Sequence, residues 1–375
     1  ILLTAVLLVT LTAVGFANRG KVIDAQGTEL TYETDGQTFH LALSFESQGG
    51  APFFGQPLFT VEVREDQVRG QVSSSRVFVD NGGGVDKKNE FLALVDHYEV
   101  TTTPCDGITL LQIDETCIPT TSNAAIEAIP SFHTEQLKEG EGNVIWTIYL
   151  KNGDTLRLRH TVKITRVPVV TLTENDYPMA TVDDLNVLLD TLAHEADRKS
   201  VYILQLPAVT YEGGLTMKNF CCDLVGSEGG TTFTGTVTIA TRGIHPSNIT
   251  NVRFVGDGTG IGLSASEGAF LHRCTFENWE IGAYGGLGSW VNATGCTFRG
   301  NGVGLWLDNR GGATCSGSYY GDSVYEDNGT AVRIAAMPGA ETLDFSNCVF
   351  RGNEVNVENT AGYAVDLSQI VTADN

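Results

Sequence analysis

Four charged residues in the last third of the chain are the first candidates for chemistry. Asp308 lies two residues before Arg310, and Glu326 is followed directly by Asp327. Glycosidases need two or three carboxyl groups at one sugar bond, of which one donates a proton and another activates water. Lyases need a base with a lowered pKa, commonly beside Ca²⁺ held by clustered carboxylates. Neither pattern is complete, so solvated turn charges are the simpler interpretation of these four residues.

A second set of residues points to binding rather than catalysis. Tyr284, Trp306, Arg333 and Glu358 each stand eight residues after an aromatic residue, in four successive segments of similar sequence. Two aromatic rings, a cation and a carboxylate at equivalent positions predict an outward platform on which sugar rings stack. Arg333 would offer paired donors to the carboxylate of an acidic sugar. Outward aromatic residues that bind nothing are the alternative interpretation.

These residues recur at one position because the segments that carry them are repeats. Five phrases align on an aromatic residue, at spacings of 22, 22, 27 and 25 residues: FVGDGTGIGL at Phe254, FENWEIGAYG at Phe276, FRGNGVGLWL at Phe298, YEDNGTAVRI at Tyr325 and FRGNEVNVEN at Phe350. Such a period indicates a solenoid, in which each unit buries its apolar face against its neighbours. One strand with an inward aromatic, a turn and one strand with inward aliphatics describe a coil of a parallel β-helix.

The alignment predicts a role for each position in the coil. The third residue after the aromatic is a turn residue, where asparagine tolerates a left-handed conformation and bonds the next coil: Asp257, Trp279, Asn301, Asn328 and Asn353. The seventh is a core position: Ile261, Ala283, Leu305, Val332 and Val357. The first forms an outward ladder of alternating charge: Val255, Glu277, Arg299, Glu326 and Arg351. The eighth points outward and carries the candidate platform, with Gly262 in the first coil.

Residues 181 to about 367 resemble the right-handed parallel β-helix family, often called pectin-lyase-like. Its usual order is a capping helix, here TVDDLNVLLDTLAHEAD with Thr181 as N-cap, then VYILQLPAVTYEGGLTMKNF and the C-x-F-x-x-N coils. The resemblance implies the fold but not the function, because this fold hosts lyases, galacturonases, phage depolymerases, adhesins and assembly proteins. The paired-Asp and Gly-His-Gly motifs of the galacturonase-like enzymes and the calcium cluster of pectate lyases are absent.

The region before the repeats follows a different pattern. Residues 27–170 show short alternating runs, of which NVIWTIYLKNGDTLRLRHTVKIT is the clearest. Asn152-Gly153 supplies the turn of a hairpin, and His160 falls among the apolar positions, which predicts a core histidine. The predicted fold is therefore all-β. An antiparallel β-sandwich-like domain over residues 27–170 precedes a right-handed parallel β-helix with an N-terminal capping helix over residues 178–375.

The opening segment predicts export. The first 17 residues carry no charge and end in Gly15-Phe16-Ala17, which fits a signal-peptide cleavage site, so residues 1–20 are a signal peptide or a signal-anchor helix. A buried core helix and the stem of a pilin are the alternatives. An extracytoplasmic location permits disulfides, and Cys105 and Cys117 bracket a short loop and form the best pair. Cys274, Cys296 and Cys348 each precede a coil aromatic by two residues and predict a ladder of inert core thiols, with a disulfide between adjacent rungs as the alternative.

Composition limits the possible partners. With 23 Lys and Arg against 45 Asp and Glu, the net charge of -22 argues against nucleic-acid binding, which rests on clustered cations. No CxxC or HExxH motif occurs, so no metal and no cofactor is expected. The best-supported function is an exported or cell-surface protein that binds glycans or partners without catalysis, in contact with a membrane only through an uncleaved N-terminal segment. A secreted polysaccharide lyase or glycoside hydrolase is the alternative, and a pilus or assembly subunit is the third.

Overall fold

The computed structural model of the chain divides it into two compact units, Ile1–Val167 and Pro168–Asn375. It describes residues 20–46, 52–54, 58–67, 69–103, 110–119, 123–133, 139–197, 199–241, 246–286, 288–310, 320–336, 342–362, 364–367 and 371–372. The predicted signal segment, except Gly20, and Cys105 of the predicted disulfide lie outside these residues. Within the described part, no helix is long and apolar enough to cross a membrane.

The first unit consists of twelve described strands and one short helix. The strands are β1 (Val22–Asp24), β2 (Glu29–Thr34), β3 (Gln37–Glu46), β4 (Pro52–Phe54), β5 (Leu58–Arg64), β6 (Arg69–Gln71), β7 (Ser75–Asp80), β8 (Val95–Thr102), β9 (Leu110–Cys117), β10 (Ile126–His133), β11 (Gly140–Leu150) and β12 (Thr155–Val167), with helix α1 (Lys88–Leu94) between β7 and β8.

Two sheets of the first unit share one hydrophobic core, as predicted for a sandwich-like domain. One sheet has the order β1-β12-β11-β8 with β5 also paired to β12, and the other has the order β2-β3-β7-β10-β6 with β4 beside β3 and β9 beside β10. The core draws Trp146 and Leu158 from the first sheet and Leu41 and Val77 from the second. One feature differs from the antiparallel prediction. The pairs β1–β12 and β5–β12 are parallel, and both strands lie along the edge of β12 opposite β11.

The predicted hairpin at Asn152-Gly153 is confirmed, and it places His160 in the core. Strands β11 and β12 pair antiparallel over nearly their whole length, and Gly153 takes the positive φ of 90° that the turn requires. The His160 ring stacks on Phe45 at 3.8 Å between centroids, and its Nε2 shares a 2.7 Å hydrogen bond with the Ser75 hydroxyl. Trp146 Nε1 donates to the same hydroxyl at 2.8 Å. His160 Nδ1 has no partner among the described residues.

Burial makes the stability of the first unit depend on pH through His160. Burial lowers the pKa of His160 in the folded protein to about 3, whereas in the unfolded chain it has its ordinary value of 6.5. As the pH falls, His160 of the unfolded chain is therefore protonated before His160 of the folded chain. The free energy of unfolding is highest above pH 6.5 and decreases between pH 6.5 and about pH 3. At about pH 5 the loss relative to neutral pH is about 2 kcal/mol. Urea unfolding of wild type and His160→Gln at the two pH values checks this, because only wild type should show this component of the pH dependence.

The second unit consists of one helix, α2 (Val182–Glu195), and the remaining described strands. The strands are β13 (Val169–Leu172), β14 (Val201–Gln205), β15 (Thr210–Tyr211), β16 (Leu215–Met217), β17 (Asp223–Val225), β18 (Thr231–Phe233), β19 (Val237–Ile239), β20 (Ser247–Thr250), β21 (Val252–Val255), β22 (Ile261–Ala265), β23 (Ala269–His272), β24 (Thr275–Glu277), β25 (Ile281–Gly285), β26 (Val291–Thr294), β27 (Thr297–Arg299), β28 (Val303–Asp308), β29 (Val324–Glu326), β30 (Thr330–Ala336), β31 (Thr342–Asp344), β32 (Val349–Arg351), β33 (Val355–Asn359), β34 (Ala364–Asp366) and β35 (Val371–Thr372).

Successive coils of the second unit add strands to three parallel sheets, which makes the unit a β-solenoid. The sheets have the orders β13-β14-β17-β20-β23-β26, β15-β18-β21-β24-β27-β29-β32-β35 and β16-β19-β22-β25-β28-β30-β33, while β31 and β34 form a separate pair. Helix α2 covers the first coils with Leu185, Leu188 and Leu192, which belong to the same core as the strands. It begins at the predicted N-cap, where the Thr181 hydroxyl accepts from Asp184 N and the Asp184 carboxylate accepts from Thr181 N.

The predicted stack of aromatic rings fills the solenoid and extends further than expected. Phe254, Phe276, Phe298 and Phe350 are buried, and Phe276 and Phe298 lie 5.0 Å apart between centroids with their planes within 6°. Two earlier coils continue the stack through Phe233 and Tyr211, which the alignment of repeats did not include. Because these coils each contribute one ring at the equivalent position of the same sheet, the repeats bury their apolar faces against one another.

The predicted asparagine turns form a ladder inside the solenoid. Asn328 Oδ1 accepts from Asn301 N and Nδ2, both at 3.0 Å, and Asn328 Nδ2 donates to Asn353 Oδ1 and to the Phe298 carbonyl, both at 2.9 Å. The left-handed conformation does not belong to these asparagines. It belongs to the residue before each turn position, which is Gly300, Asp327 or Gly352 before the asparagines and Asn278 before Trp279.

The first aligned coil departs from the predicted register by two residues. Leu263 and Ser264, rather than Ile261 and Gly262, pair with Ala283 and Tyr284 of the next coil. The cause is Trp279, whose buried ring occupies the turn position that asparagine holds in the following coils. A Cβ at Gly256 would lie 2.5 Å from this ring, and one at Gly262 would lie 3.0 Å from its nitrogen. The preceding turn therefore needs glycine and two extra residues to pass around the indole.

The cysteines of the C-x-F phrases are buried thiols, as predicted. Cys274, Cys296 and Cys348 carry no disulfide and lie in the core beside the aromatic stack. Burial raises the pKa of Cys348 to about 11 and holds the pKa of Cys296 well above its ordinary range. Both remain protonated at neutral pH and therefore unreactive, because the thiolate is the nucleophile.

Candidate ligand-binding face

The candidate binding residues form one continuous line on the outside of the solenoid. Tyr284, Trp306, Arg333 and Glu358 pair in register across β25, β28, β30 and β33. The same register runs back through Ser264 to Thr238 and Thr216 on β22, β19 and β16. Alternation along each strand turns these side chains outward, and they are half-buried or exposed. We call Thr216, Thr238, Ser264, Tyr284, Trp306, Arg333 and Glu358 the outer column.

The two aromatic rings of the outer column are neighbours but do not form a flat platform. The centroids of Tyr284 and Trp306 are 5.5 Å apart and the ring planes meet at 79°. This edge-to-face contact is a favourable arrangement for aromatic pairs. The indole nitrogen of Trp306 is buried and has no partner among the described residues. Trp306 therefore presents only carbon atoms to a ligand, and its contribution to binding would be apolar contact.

The cation of the outer column already has two partners within the chain. The guanidinium carbon of Arg333 lies over the Trp306 ring, 4.8 Å from its centroid. Arg333 Nε donates to Glu358 Oε2 at 2.7 Å. The cation–π contact and the ion pair together hold the guanidinium between Trp306 on the preceding rung and Glu358 on the following rung. Glu358 thus occupies the place that the sequence analysis assigned to the carboxylate of an acidic sugar.

Asp308 and Arg310 adjoin the outer column and form an ion pair there. Arg310 Nε donates to Asp308 Oδ1 at 2.6 Å, and the Tyr284 hydroxyl donates to Asp308 Oδ2 at 3.3 Å. Burial, together with the Asp308 charge, raises the pKa of Tyr284, so that its hydroxyl stays protonated as the donor. Asp308 is almost fully buried. With both of its oxygens engaged, it serves to orient Tyr284.

Glu326 and Asp327 lie away from the outer column. Glu326 is on β29 in the eight-stranded sheet, whereas Asp308 is on β28 in the seven-stranded sheet. Glu326 belongs to the predicted charge ladder and bonds Arg351 at 2.9 Å, which lowers the pKa of Glu326 and keeps it ionised. Asp327 is an exposed turn residue with a positive φ of 54°. The structure therefore does not bring the four catalytic candidates together at one sugar bond.

Gly260, Gly282 and Gly304 each stand six residues after a coil aromatic, two before the platform position, which predicts a shallow trough beside the rings. This prediction is wrong. Gly282 and Gly304 are buried, and a Cβ on either would lie 2.6 Å from a backbone oxygen of the next coil. A Cβ at Gly282 would also meet Phe276 and Phe298, so this position faces the core. Gly260, the third residue of the predicted trough, lies in the longer turn of the first coil. These glycines permit close packing of coils rather than approach of a ligand.

Sequence reasoning missed Thr216, Thr238 and Ser264. Tyr211 and Phe233 precede Phe254 by 43 and 21 residues, close to multiples of the repeat, so these aromatic residues could have added two coils to the alignment. They place Thr216 and Thr238 five residues after the aromatic rather than eight, and only the strand pairing brings these threonines into the column. Ser264 stands ten residues after Phe254 rather than eight, because of the two-residue shift of the first coil at Trp279. Among the described residues, no group of three or more His, Cys, Asp or Glu side chains lies close enough to hold a metal ion.

Comparison with known proteins agrees with this architecture. Residues 224–372 match a family model described as right handed beta helix region. No curated protein and no solved structure matches the chain. The matched residues cover the coils from β17 to the last described strand, which the structure shows as stacked parallel strands. The C-terminal part of the chain is therefore a right-handed parallel β-helix.

Proposed function

We propose that the chain is a non-catalytic glycan-binding protein whose β-helix contacts sugar through Tyr284, Trp306 and their neighbours in the outer column. The observation that carries the proposal is the register of the column, which places two half-buried aromatic side chains one rung apart on the same outer face. Aromatic residues are frequent anchors of binding sites because they offer large apolar area at a small cost in conformational entropy.

The geometry of the carboxylates favours binding over hydrolysis or elimination. A glycosidase holds two carboxyl groups across one bond, at a separation of about 5 to 10 Å. Asp308 and Glu326 lie on two different sheets, and each is bonded to an arginine. An ionised Glu326 held by Arg351 is a poor proton donor. The enzyme and assembly-subunit alternatives have no such supporting observation on the outer column.

Trp306→Ala is the variant that tests the proposed site. We expect it to weaken binding of a glycan found on an array by about 1 to 3 kcal/mol, or about 5- to 150-fold, because an apolar contact is lost. Isothermal titration with the wild type and the variant measures the change, and circular dichroism verifies the fold.

Trp290→Ala is the matched control, since Trp290 is also half-buried against the same core but lies between β25 and β26. Equal affinities of wild type and Trp306→Ala for the glycan would contradict the assignment of the binding site to the outer column. Release of reducing or unsaturated ends from the bound glycan would instead favour the enzyme alternative.

We also propose that the protein is exported, which rests on the uncharged run of the first 17 residues. In that case protease added to intact cells should digest the region after residue 20, and the predicted pair Cys105 and Cys117 should resist thiol labelling. A fully protected chain in intact cells, digested only after lysis, would contradict export.

A further inference from the structure

The chemical class of the glycan follows from charge. The net charge of the chain is -22, so long-range repulsion disfavours the binding of a polyanion. Beside Tyr284 and Trp306, Arg333 is matched by Glu358 and Arg310 by Asp308. Binding an acidic sugar through Arg333 would require breaking its bond to Glu358 and leaving that carboxylate beside the ligand. The face therefore complements an uncharged ligand.

The hydroxyl side chains of the outer column supply the second observation. Thr216, Thr238 and Ser264 continue the line of Tyr284 on consecutive rungs. Their hydroxyls form no hydrogen bond within the part of the chain that the structure describes, so each can donate one and accept others. A sugar hydroxyl has the same double capacity. A row of such groups suits a neutral polyhydroxyl chain better than a ligand with charged groups at each unit.

The length and direction of the column define the shape of this ligand. Rungs of a parallel sheet are about 4.8 Å apart, so the seven side chains span about 29 Å along the solenoid axis. We propose that the outer column binds an extended, uncharged polysaccharide that lies along this axis, with apolar sugar faces on Tyr284 and Trp306 and sugar hydroxyls on Ser264, Thr238 and Thr216. This inference rests on the proposed function and extends its site by three residues.

The test combines ligand length, ligand charge and a variant of the hydroxyl rungs. The full chain is titrated with disaccharides and hexasaccharides of linear glucan, xylan and mannan, and with oligogalacturonates of the same lengths. We expect a neutral hexasaccharide to bind more tightly than its disaccharide. Thr238→Val combined with Ser264→Ala should then weaken hexasaccharide binding about tenfold, through two lost hydrogen bonds, and leave disaccharide binding unchanged.

Thr275→Val combined with Thr297→Val is the matched control. These two threonines also lie on consecutive rungs, are half-buried and form no described hydrogen bond, but they belong to the eight-stranded sheet. The extended site is wrong if the hexasaccharide gains nothing over the disaccharide, or if the Thr238 and Ser264 variant behaves like the control. Preference for oligogalacturonate would overturn the charge argument alone. Absence of binding to every probe would overturn the proposed function itself.

Discussion

Replacing Phe298 with alanine is expected to lower the free energy of unfolding of the β-helix by about 3 to 5 kcal/mol. The Phe298 ring is fully buried and stacks between Phe276 and Tyr325, with both centroid distances at 5.0 Å. Removal of the ring opens a cavity at the centre of the stack and deletes two aromatic contacts. The neighbouring coils cannot close the gap, because their spacing is set by the hydrogen bonds between strands. Urea unfolding followed by circular dichroism measures the change.

Phe270→Ala is the control for this experiment. Phe270 lies on β23 of the six-stranded sheet and is only half-buried, so the same truncation there leaves no enclosed cavity. Phe270→Ala should lower the free energy of unfolding clearly less than Phe298→Ala does. Equal costs at the two positions would mean that the stacked rings contribute no more than ordinary surface packing, and the role assigned to the aromatic repeat would be lost.

Asn328→Asp is expected to destabilise the β-helix by about 3 to 5 kcal/mol at neutral pH, because it leaves an uncompensated buried charge. The amide nitrogen of Asn328 donates to the Phe298 carbonyl and to Asn353 Oδ1, and both acceptors would then face a carboxylate. Burial and the facing oxygens raise the pKa of the new carboxyl group in the folded state above its unfolded value near 3.9. The destabilisation is therefore largest at high pH, shrinks as the pH falls through the folded pKa, and is smallest below the unfolded pKa, where both states hold the proton.

Asn278→Asp controls for the change of residue type. The Asn278 amide also bonds a carbonyl of the neighbouring coil, Gly256 O at 3.0 Å, but the bond is exposed to solvent. The same substitution there should cost much less and show little dependence on pH. Unfolding midpoints of both variants across the pH range decide the matter. A pH-independent loss at Asn328 would show that the ladder tolerates the charge and that only packing was disturbed.

The repeating pattern made much of the β-helix predictable. The burial of the four phenylalanines, the outward charge ladder and the cap at Thr181 all follow from short-range rules. Alternation along a strand assigns each side chain to the core or the surface, and a recurring aromatic aligns successive strands. In the first unit the same alternation predicted the hairpin and the buried His160. It did not predict that β1 and β5 pair parallel to β12, since alternation carries no information on strand direction.

The sequence by itself determined the class of fold and the outward line from Tyr284 to Glu358. It determined these features because each depends on the neighbours of a residue along the chain. Only the tertiary structure decided that Trp279 shifts the first coil by two residues, that Tyr284 meets Trp306 edge to face, and that Glu358 binds Arg333. These contacts join residues 20 or more positions apart, and ring volume, side-chain rotamers and charge pairing between coils settle them only after the coils have stacked.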